Sequence, residues 1–451
     1  IFRKKVNMER IDFNDIERYA LSYEQKGLKV LQNSVHKNGI NNATFNAEAQ
    51  IKDQHVYSVD IKTGAVANQR QSGRCWMFAA LNTFRHKLNK DYKLKDFELS
   101  QTYTFFFDKL EKSNYFLENI LKTLDEDLDS RLVHFLLATP QQDGGQWDML
   151  ASIIEKYGIV PKYAMPEAFH STSSMRLDDL LNKKLRKSAQ ILRSLHEEGK
   201  SVDELRKLKD EILDEIYSFL VVSLGKPPKA FTFEYEDKDG KFHRDENITP
   251  KEFFNKYVGI DLNDYISLIN APTKDKPYHK TFTVDYLGNV LGGRQVKYLN
   301  VTMEELKQAT ISQLQDGVTV WFGCDVGQSS DRQLGIMDLN IFEVDKSLGI
   351  DFSMTKEISL DYCESLMTHA MVLSGVNILN EKPTRWKVEN SWGDQPGNKG
   401  YFVMSDEWMD KYTYQVVVNK KYLPENLRKL IEQEPIVLKP WDPMGSLALM
   451  K

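Results

Sequence analysis

The spacing of apolar residues changes near residue 280, and this change limits the fold more than any other feature of the sequence. Residues 176–224 repeat leucine and isoleucine at the helical interval and predict two amphipathic helices, while 12–32 predict one leading helix. After residue 280, short alternating or wholly apolar runs predict strands, with a helix only over 302–314. A helical half followed by a strand-rich half predicts an α+β fold with two lobes and a cleft between them.

The charge balance and the cysteine count argue against several classes of protein. Lysine and arginine total 60 against 65 for aspartate and glutamate, so no broad cationic surface is available for nucleic acid. The densest basic run, at 183–187, is best explained as a solvated helix face. No apolar run is long enough to span a membrane, and residues 1–7 lack the apolar core of a secretory signal. Three cysteines form no paired framework, so we expect a reducing, cytosolic compartment.

One of the three cysteines occupies an unusual position in "QRQSGRCWMFAALNTFRHKL", residues 69–88. Ser72 and Gly73 favour a turn, and the apolar run begins directly after Cys75, so the cysteine should start a helix. Unpaired amides and the helix dipole favour a thiolate there, and a nearby imidazolium would lower the thiol pKa further. A buried, unreactive cysteine is the alternative when Cys75 is considered alone.

Three polar residues elsewhere could complete a nucleophilic site around Cys75. His369 opens an apolar strand and could act as a base, Asn390 ends the next strand and could orient the imidazole, and Trp392 could shield their bond from water. Gln69 could donate to a developing oxyanion. Taken singly, these residues also suit a satisfied core histidine, a turn and a surface glutamine. Their occurrence together in this order favours cysteine nucleophile chemistry.

The motifs that carry this order resemble those of a known family. They are "NQRQSGRCW" at 68–76, "ELSQ" at 98–101, "DGG" at 143–145, "WFGCDVG" at 321–327, "THAMVLSGV" at 368–376, "ENSWG" at 389–393 and "WDPMGSLA" at 441–448. This set resembles the papain-like cysteine peptidases, most closely the branch with aminopeptidase C and bleomycin hydrolase. The resemblance implies a two-lobed fold with a large helical insertion, in which Cys75 is the nucleophile, His369 the base and acid, and Asn390 the orienting residue.

The resemblance also implies how substrate is bound. Gly144 and Gly145 would pair with the peptide main chain, although Gly-Gly also suits a flexible turn. The tail at 426–451, which on its own suggests a poorly structured terminus, would form an arm that reaches the cleft near Ala448 and limits access. Because the family commonly ends near that alanine, the tail could be trimmed by Cys75 itself. The resemblance further implies peptide substrates, a homohexamer, and no metal or organic cofactor.

These observations predict a cytosolic thiol aminopeptidase that releases N-terminal residues through an acyl-enzyme on Cys75. The alternatives are an endopeptidase on the same scaffold and a non-proteolytic binding or assembly protein. The predicted organisation is an N-terminal extension at 1–64, a helical lobe with the nucleophile at 65–170, a mainly helical insertion at 171–280, a β-rich lobe with His369 and Asn390 at 281–425, and the arm at 426–451.

Overall fold

A computed structural model describes residues 8–94 and 97–448 of the chain. Helices dominate the part before residue 280 and strands the part after it, so the predicted α+β fold is confirmed. The predictions made for residues 1–7 and for trimming at 449–451 lie outside the described residues. Among the described helices, none is both long and apolar enough to cross a membrane.

The helices before residue 280 include those of the lobe that carries Cys75. In chain order they are α1 Phe13–Gln25, α2 Lys29–Asn38, α3 Ile40–Ala43, α4 Ala47–Lys52, α5 Cys75–Asp91, α6 Gln101–Lys122, α7 Arg131–Ala138, α8 Trp147–Tyr157, α9 Phe169–Thr172, α10 Met175–Glu197, α11 Val202–Leu224 and α12 Pro250–Phe253. As predicted, α10 and α11 are amphipathic, and their leucine and isoleucine faces pack against α6.

The prediction of one leading helix over 12–32 is wrong. The helix is interrupted between α1 and α2 at Gly27, whose φ of 67° lies in the left-handed region that glycine adopts without strain. No residue of either helix, all of which are described, is buried. Phe13 is 88% exposed, so the regularly spaced apolar side chains of this segment do not pack into a hydrophobic core of the single chain.

Most strands form one large mixed sheet. In chain order the strands are β1 Val59–Asp60, β2 Phe231–Glu236, β3 Phe242–Ile248, β4 Tyr265–Ile269, β5 Thr281–Val284, β6 Tyr298–Asn300, β7 Val320–Cys324, β8 Ser330–Asp331, β9 Ile336–Met337, β10 His369–Leu379, β11 Lys382–Glu389, β12 Tyr401–Ser405, β13 Thr413–Asn419 and β14 Ile436–Leu438. The sheet order is β14-β5-β6-β4-β13-β7-β10-β11-β12-β9-β8, with β1 beside β10 and β2-β3 as a separate hairpin. Strand β4 falls within 171–280 yet belongs to the large sheet.

The expectation of a single helix after residue 280 is also wrong. Besides α13 Met303–Gln315, the strand-rich part contains α14 Val344–Leu348, α15 Lys356–Asp361, α16 Asp406–Tyr412 and α17 Glu425–Leu430. These four helices have five to seven residues, too few for a helical repeat to stand out in the sequence. Thr355 and Ser405 start two of them by accepting backbone N–H bonds.

Helix α5 lies between the helical lobe and the sheet. Its first half is buried on every side, because it contacts α6 and α8 in one direction and β7 and β10 in the other. The indole N–H of Trp321 on β7 donates to the carbonyl of Trp76 at 3.1 Å. This contact joins the sheet to α5 one residue after Cys75.

The described part of the C-terminal arm, residues 426–448, is structured, so the expectation of a poorly structured tail is wrong for these residues. Strand β14 pairs in parallel with β5, and Pro443–Ala448 form a 3₁₀ helix. Met444 and Leu447 are buried, and Lys276 pairs with Asp442 at 2.9 Å. The tertiary contacts fix a segment whose prolines do not favour a regular helix.

Candidate active site

The loop before Cys75 places its sulfur at the N-terminus of α5. The side chain of Asp143 accepts the Gly73 amide at 2.7 Å, and its carbonyl accepts the Trp76 indole N–H at 2.7 Å. Cys75 is 1% exposed, and the backbone amides of Trp76 and Ala370 bond to its sulfur. Ala370 directly follows His369, so the fold brings the nucleophile candidate and the base candidate together.

His369 is held by an amide and an indole. Its Nε2 lies 2.9 Å from Asn390 Oδ1, and the Ser391 backbone N–H donates to that same oxygen at 2.8 Å. Because an amide oxygen only accepts, Nε2 carries the hydrogen and Nδ1 is left to take a proton. The Trp392 ring stacks on His369 with centroids 4.8 Å apart. The structure therefore brings His369, Asn390 and Trp392 together.

Burial determines the protonation of the two reactive groups. It raises the pKa of the Cys75 thiol to about 11 and lowers the pKa of the His369 imidazole to about 4. The sequence analysis expected a lowered thiol pKa, and this is wrong for Cys75 when no imidazolium is beside it. Desolvation raises the pKa by more than the backbone hydrogen bonds lower it. Proton transfer from Cys75 to His369 adds no net charge to the cleft, so burial opposes a lone thiolate more than it opposes the ion pair.

Gln69 lies where the loop before Cys75 meets the segment after Asn390. Its Nε2 donates to the Ser72 carbonyl at 2.7 Å, and its Oε1 accepts the Ser391 hydroxyl at 2.6 Å. One Nε2 hydrogen remains for another acceptor. The side chain is 6% exposed and is positioned by both lobes.

Gly144 and Gly145 are both buried, and Gly145 packs against the nucleophile segment. A Cβ on Gly145 would lie 2.6 Å from the Trp76 ring, and the Gly144 carbonyl accepts the Lys112 ammonium at 2.6 Å. Glycine at 145 is therefore required by the indole next to Cys75. The resemblance implies a separate role for Gly145, in which its backbone binds the peptide main chain.

Asp143 connects the loop before Cys75 to a buried lysine. Its Oδ1 lies 2.7 Å from Lys109 Nζ, which also contacts Asp178 at 2.5 Å. Burial alone would raise the pKa of Asp143, but the Lys109 charge lowers it well below the usual range. Asp143 is thus held as the carboxylate that accepts the Gly73 amide.

The sequence analysis did not identify Glu389, a buried carboxylate that contacts α5 from the residue before Asn390. Glu389 pairs with Arg85 at 3.0 Å and with His86 at 3.0 Å. Burial would raise its pKa, but these two partners and Thr63 lower it. The sequence offered little signal for it, because one more charged residue does not stand out on β11, which also carries Lys382, Arg385 and Lys387.

The C-terminal arm approaches the start of β10. The Ser446 hydroxyl donates to the Met367 carbonyl at 2.9 Å, and Met367 precedes His369 by two residues. Ala448 ends the 3₁₀ helix that contains Ser446. Within residues 8–94 and 97–448, no three histidine, cysteine, aspartate or glutamate side chains are grouped so that they could hold a metal ion.

Comparison with known proteins places this geometry in a family. The model of the Peptidase C1-like family matches residues 10–445. The chain belongs to the Peptidase C1-like family. Aminopeptidase C of Listeria innocua serovar 6a is 59% identical to this chain, over 97% of this chain and 99% of the relative. Aminopeptidase C of Lactobacillus delbrueckii subsp. lactis is 52% identical, with 98% and 99% covered.

A solved structure agrees with the fold of this Peptidase C1-like chain. The crystal structure of PepW from Lactobacillus rhamnosis HN001 is 55% identical, matches with a TM-score of 0.96, and covers 97% of this chain and 99% of its own. The resemblance to papain-like peptidases, and to the aminopeptidase C branch in particular, is therefore confirmed.

Proposed function

We propose that the chain is a thiol aminopeptidase in which Cys75 attacks the first peptide bond and His369 carries the proton. His369 takes the thiol proton, and the sulfur adds to the carbonyl carbon. As the C–N bond breaks, the imidazolium gives that proton to the leaving amine. Water then hydrolyses the thioester and releases the N-terminal residue, with Asn390 keeping the imidazole oriented throughout.

The observation that carries this proposal is the bond between His369 and Asn390 in a buried cleft whose next backbone amide, at Ala370, reaches the Cys75 sulfur. Gln69 supplies a further donor for the oxyanion, since one Nε2 hydrogen is unused within its described contacts. The relatives named Aminopeptidase C, at 52% and 59% identity over nearly the whole chain, support this reading.

The C-terminal arm supports an exopeptidase over an endopeptidase. Its bond from Ser446 to Met367 brings it to the segment that leads into β10, two residues before His369. The end of the arm near Ala448 would then occupy the part of the cleft where a longer substrate would extend beyond its N-terminus. Gly144 and Gly145 would bind the peptide main chain through their backbone in the same cleft.

The decisive experiment compares leucine 4-nitroanilide with its N-acetylated form, in the full chain and in a chain that ends after Gly445. The full chain should cleave the free amine at least 100-fold faster, and the shortened chain should gain cleavage of the acetylated substrate. Ser446→Ala, which keeps the arm and removes only the bond to Met367, tests whether that bond holds the arm in place, and it should allow less cleavage of the acetylated substrate than the shortened chain does. Equal cleavage of both substrates by the full chain would favour the endopeptidase, and no cleavage of either would favour a binding protein.

We also propose the homohexamer implied by the resemblance and a cytosolic location. The exposed apolar side chains of α1, such as Phe13 and Ile16, are surfaces that a second copy could cover. All three cysteines are free, which suits a reducing compartment. Sedimentation should give six chains, and Phe13→Ser with Ile16→Ser should lower that number if α1 forms the contact.

A further inference from the structure

Arg332 is an exposed arginine beside the aromatic ring that covers the catalytic histidine candidate. Its guanidinium carbon lies 4.3 Å from the centre of the Trp392 ring, and Trp392 stacks on His369. Among residues 8–94 and 97–448, no carboxylate forms an ion pair with Arg332. The five N–H donors of the guanidinium therefore lie beside Trp392 without a carboxylate partner among those residues.

The turn that carries Arg332 is fixed on both sides. Asp331 accepts the Gly335 amide on its carbonyl and the Leu334 amide on its side chain, each at 2.9 Å. The Gln333 carbonyl accepts the Gly397 amide at 2.9 Å, which joins the turn to the segment after Trp392. Arg332 is thus held by a short tight turn and by ring stacking, so little freedom is lost when it binds an anion.

The direction of the reaction tells which part of a substrate meets Arg332. His369 gives its proton to the leaving amine, so the leaving part of the peptide lies on the imidazole side of the cleft. Trp392 forms the wall on that side, because it stacks on His369. The guanidinium over Trp392 therefore faces the residues that follow the scissile bond.

We propose that Arg332 binds a carboxylate on the leaving part of the substrate, either the free C-terminal carboxylate of a short peptide or an acidic side chain. This inference rests on the proposed aminopeptidase function. An extended residue spans about 3.3–3.6 Å, so the carboxylate of a dipeptide or tripeptide lies one or two such steps beyond the leaving nitrogen. The planar fork of arginine matches a carboxylate with two parallel hydrogen bonds.

The charge of Arg332 also reaches the reaction centre. Burial is the main cause that lowers the pKa of His369, and the positive charge of Arg332 lowers it further. A carboxylate bound to Arg332 would neutralise that charge and ease protonation of the imidazole. Binding of such a substrate would thus favour the imidazolium that donates to the leaving amine.

Two pairs of substrates separate the possible sources of the carboxylate. Leu-Ala against Leu-Ala amide tests the C-terminal carboxylate, and Leu-Asp amide against Leu-Asn amide tests an acidic side chain. In the native enzyme, kcat/KM should favour the carboxylate member of at least one pair by about tenfold, mainly through KM. Arg332→Gln should reduce that ratio to about one, while Arg332→Lys should retain part of it because the charge remains.

Arg244→Gln, on the separate β2-β3 hairpin, is the matched control and should leave both ratios as they are in the native enzyme. Ratios in Arg332→Gln that equal the native ones would overturn the proposal, as would native ratios near one for both pairs. Leucine 4-nitroanilide, which carries no carboxylate, tests the proposed function separately in the native enzyme. If it is not cleaved, the aminopeptidase itself is refuted, whereas cleavage without an Arg332 effect refutes only the carboxylate site.

Discussion

Replacing His369 by glutamine should make Cys75 almost unreactive at neutral pH. Burial raises the pKa of the lone thiol to about 11, so at pH 7 about one molecule in 10,000 would carry the thiolate. A free cysteine with a pKa near 8.5 is ionised in about 3% of molecules at that pH. The variant thiol should therefore react about 300-fold more slowly than a free thiol of equal nucleophilicity and access.

The assay is the rate of Cys75 alkylation by iodoacetamide between pH 6 and pH 11, followed by peptide mass. The exposed Cys363 is first changed to serine, so that it does not consume the reagent. In His369→Gln the rate should rise about tenfold per pH unit up to pH 10 or beyond, because the thiolate forms only as pH approaches 11. The native enzyme should react much faster than the variant at pH 7, since His369 takes the thiol proton.

Equal rates in the two proteins at pH 7 would contradict this reasoning, and so would a variant midpoint near that of free cysteine. Cys324 lies opposite His369 across β7 and β10, and burial raises the pKa of its thiol well above the usual value, so its peptide is followed separately from that of Cys75. Its alkylation should be slow in both proteins at every pH in the range.

Two further predictions concern stability. Glu389→Gln should lower the urea midpoint of unfolding by an amount equivalent to about 3 kcal/mol, because the buried Arg85 guanidinium loses its counter-charge. An unchanged midpoint would show that this pair contributes little. Gly145→Ala should cost about 1–3 kcal/mol, because its Cβ would overlap the Trp76 ring, and a calorimetric unfolding temperature equal to the native one would contradict that clash.

The local structure around the candidate site could be predicted from the sequence because it depends on neighbouring residues. Turn formers before Cys75 and an apolar run after it specify a helix start, and α5 begins at Cys75. His369 similarly opens β10, as the apolar run after it indicates. The chemistry expected of these residue types then follows from their positions on rigid elements.

Long-range contacts and desolvation could not be predicted in the same way. The bond from Glu389 to Arg85 joins residues far apart in sequence, and no periodic pattern encodes it. The thiol pKa depends on how completely the cleft excludes water, which reversed the expectation based on the helix dipole alone. The order of the arm depends on contacts with β5 and Lys276, while its prolines suggest none.

The buried Glu389 bears on how substrates are selected. It holds the strand end that leads into Asn390 against two side chains of the helix that begins with Cys75. Since breaking such a pair is costly, the two lobes should keep their relative position when a peptide binds. Selection then falls to the arm, so a chain ending after Gly445 should accept blocked peptides while its Cys75 alkylation rate, once corrected for access, stays near the native value. A large change in the pH dependence of that alkylation would show instead that the arm also helps to position the reactive pair.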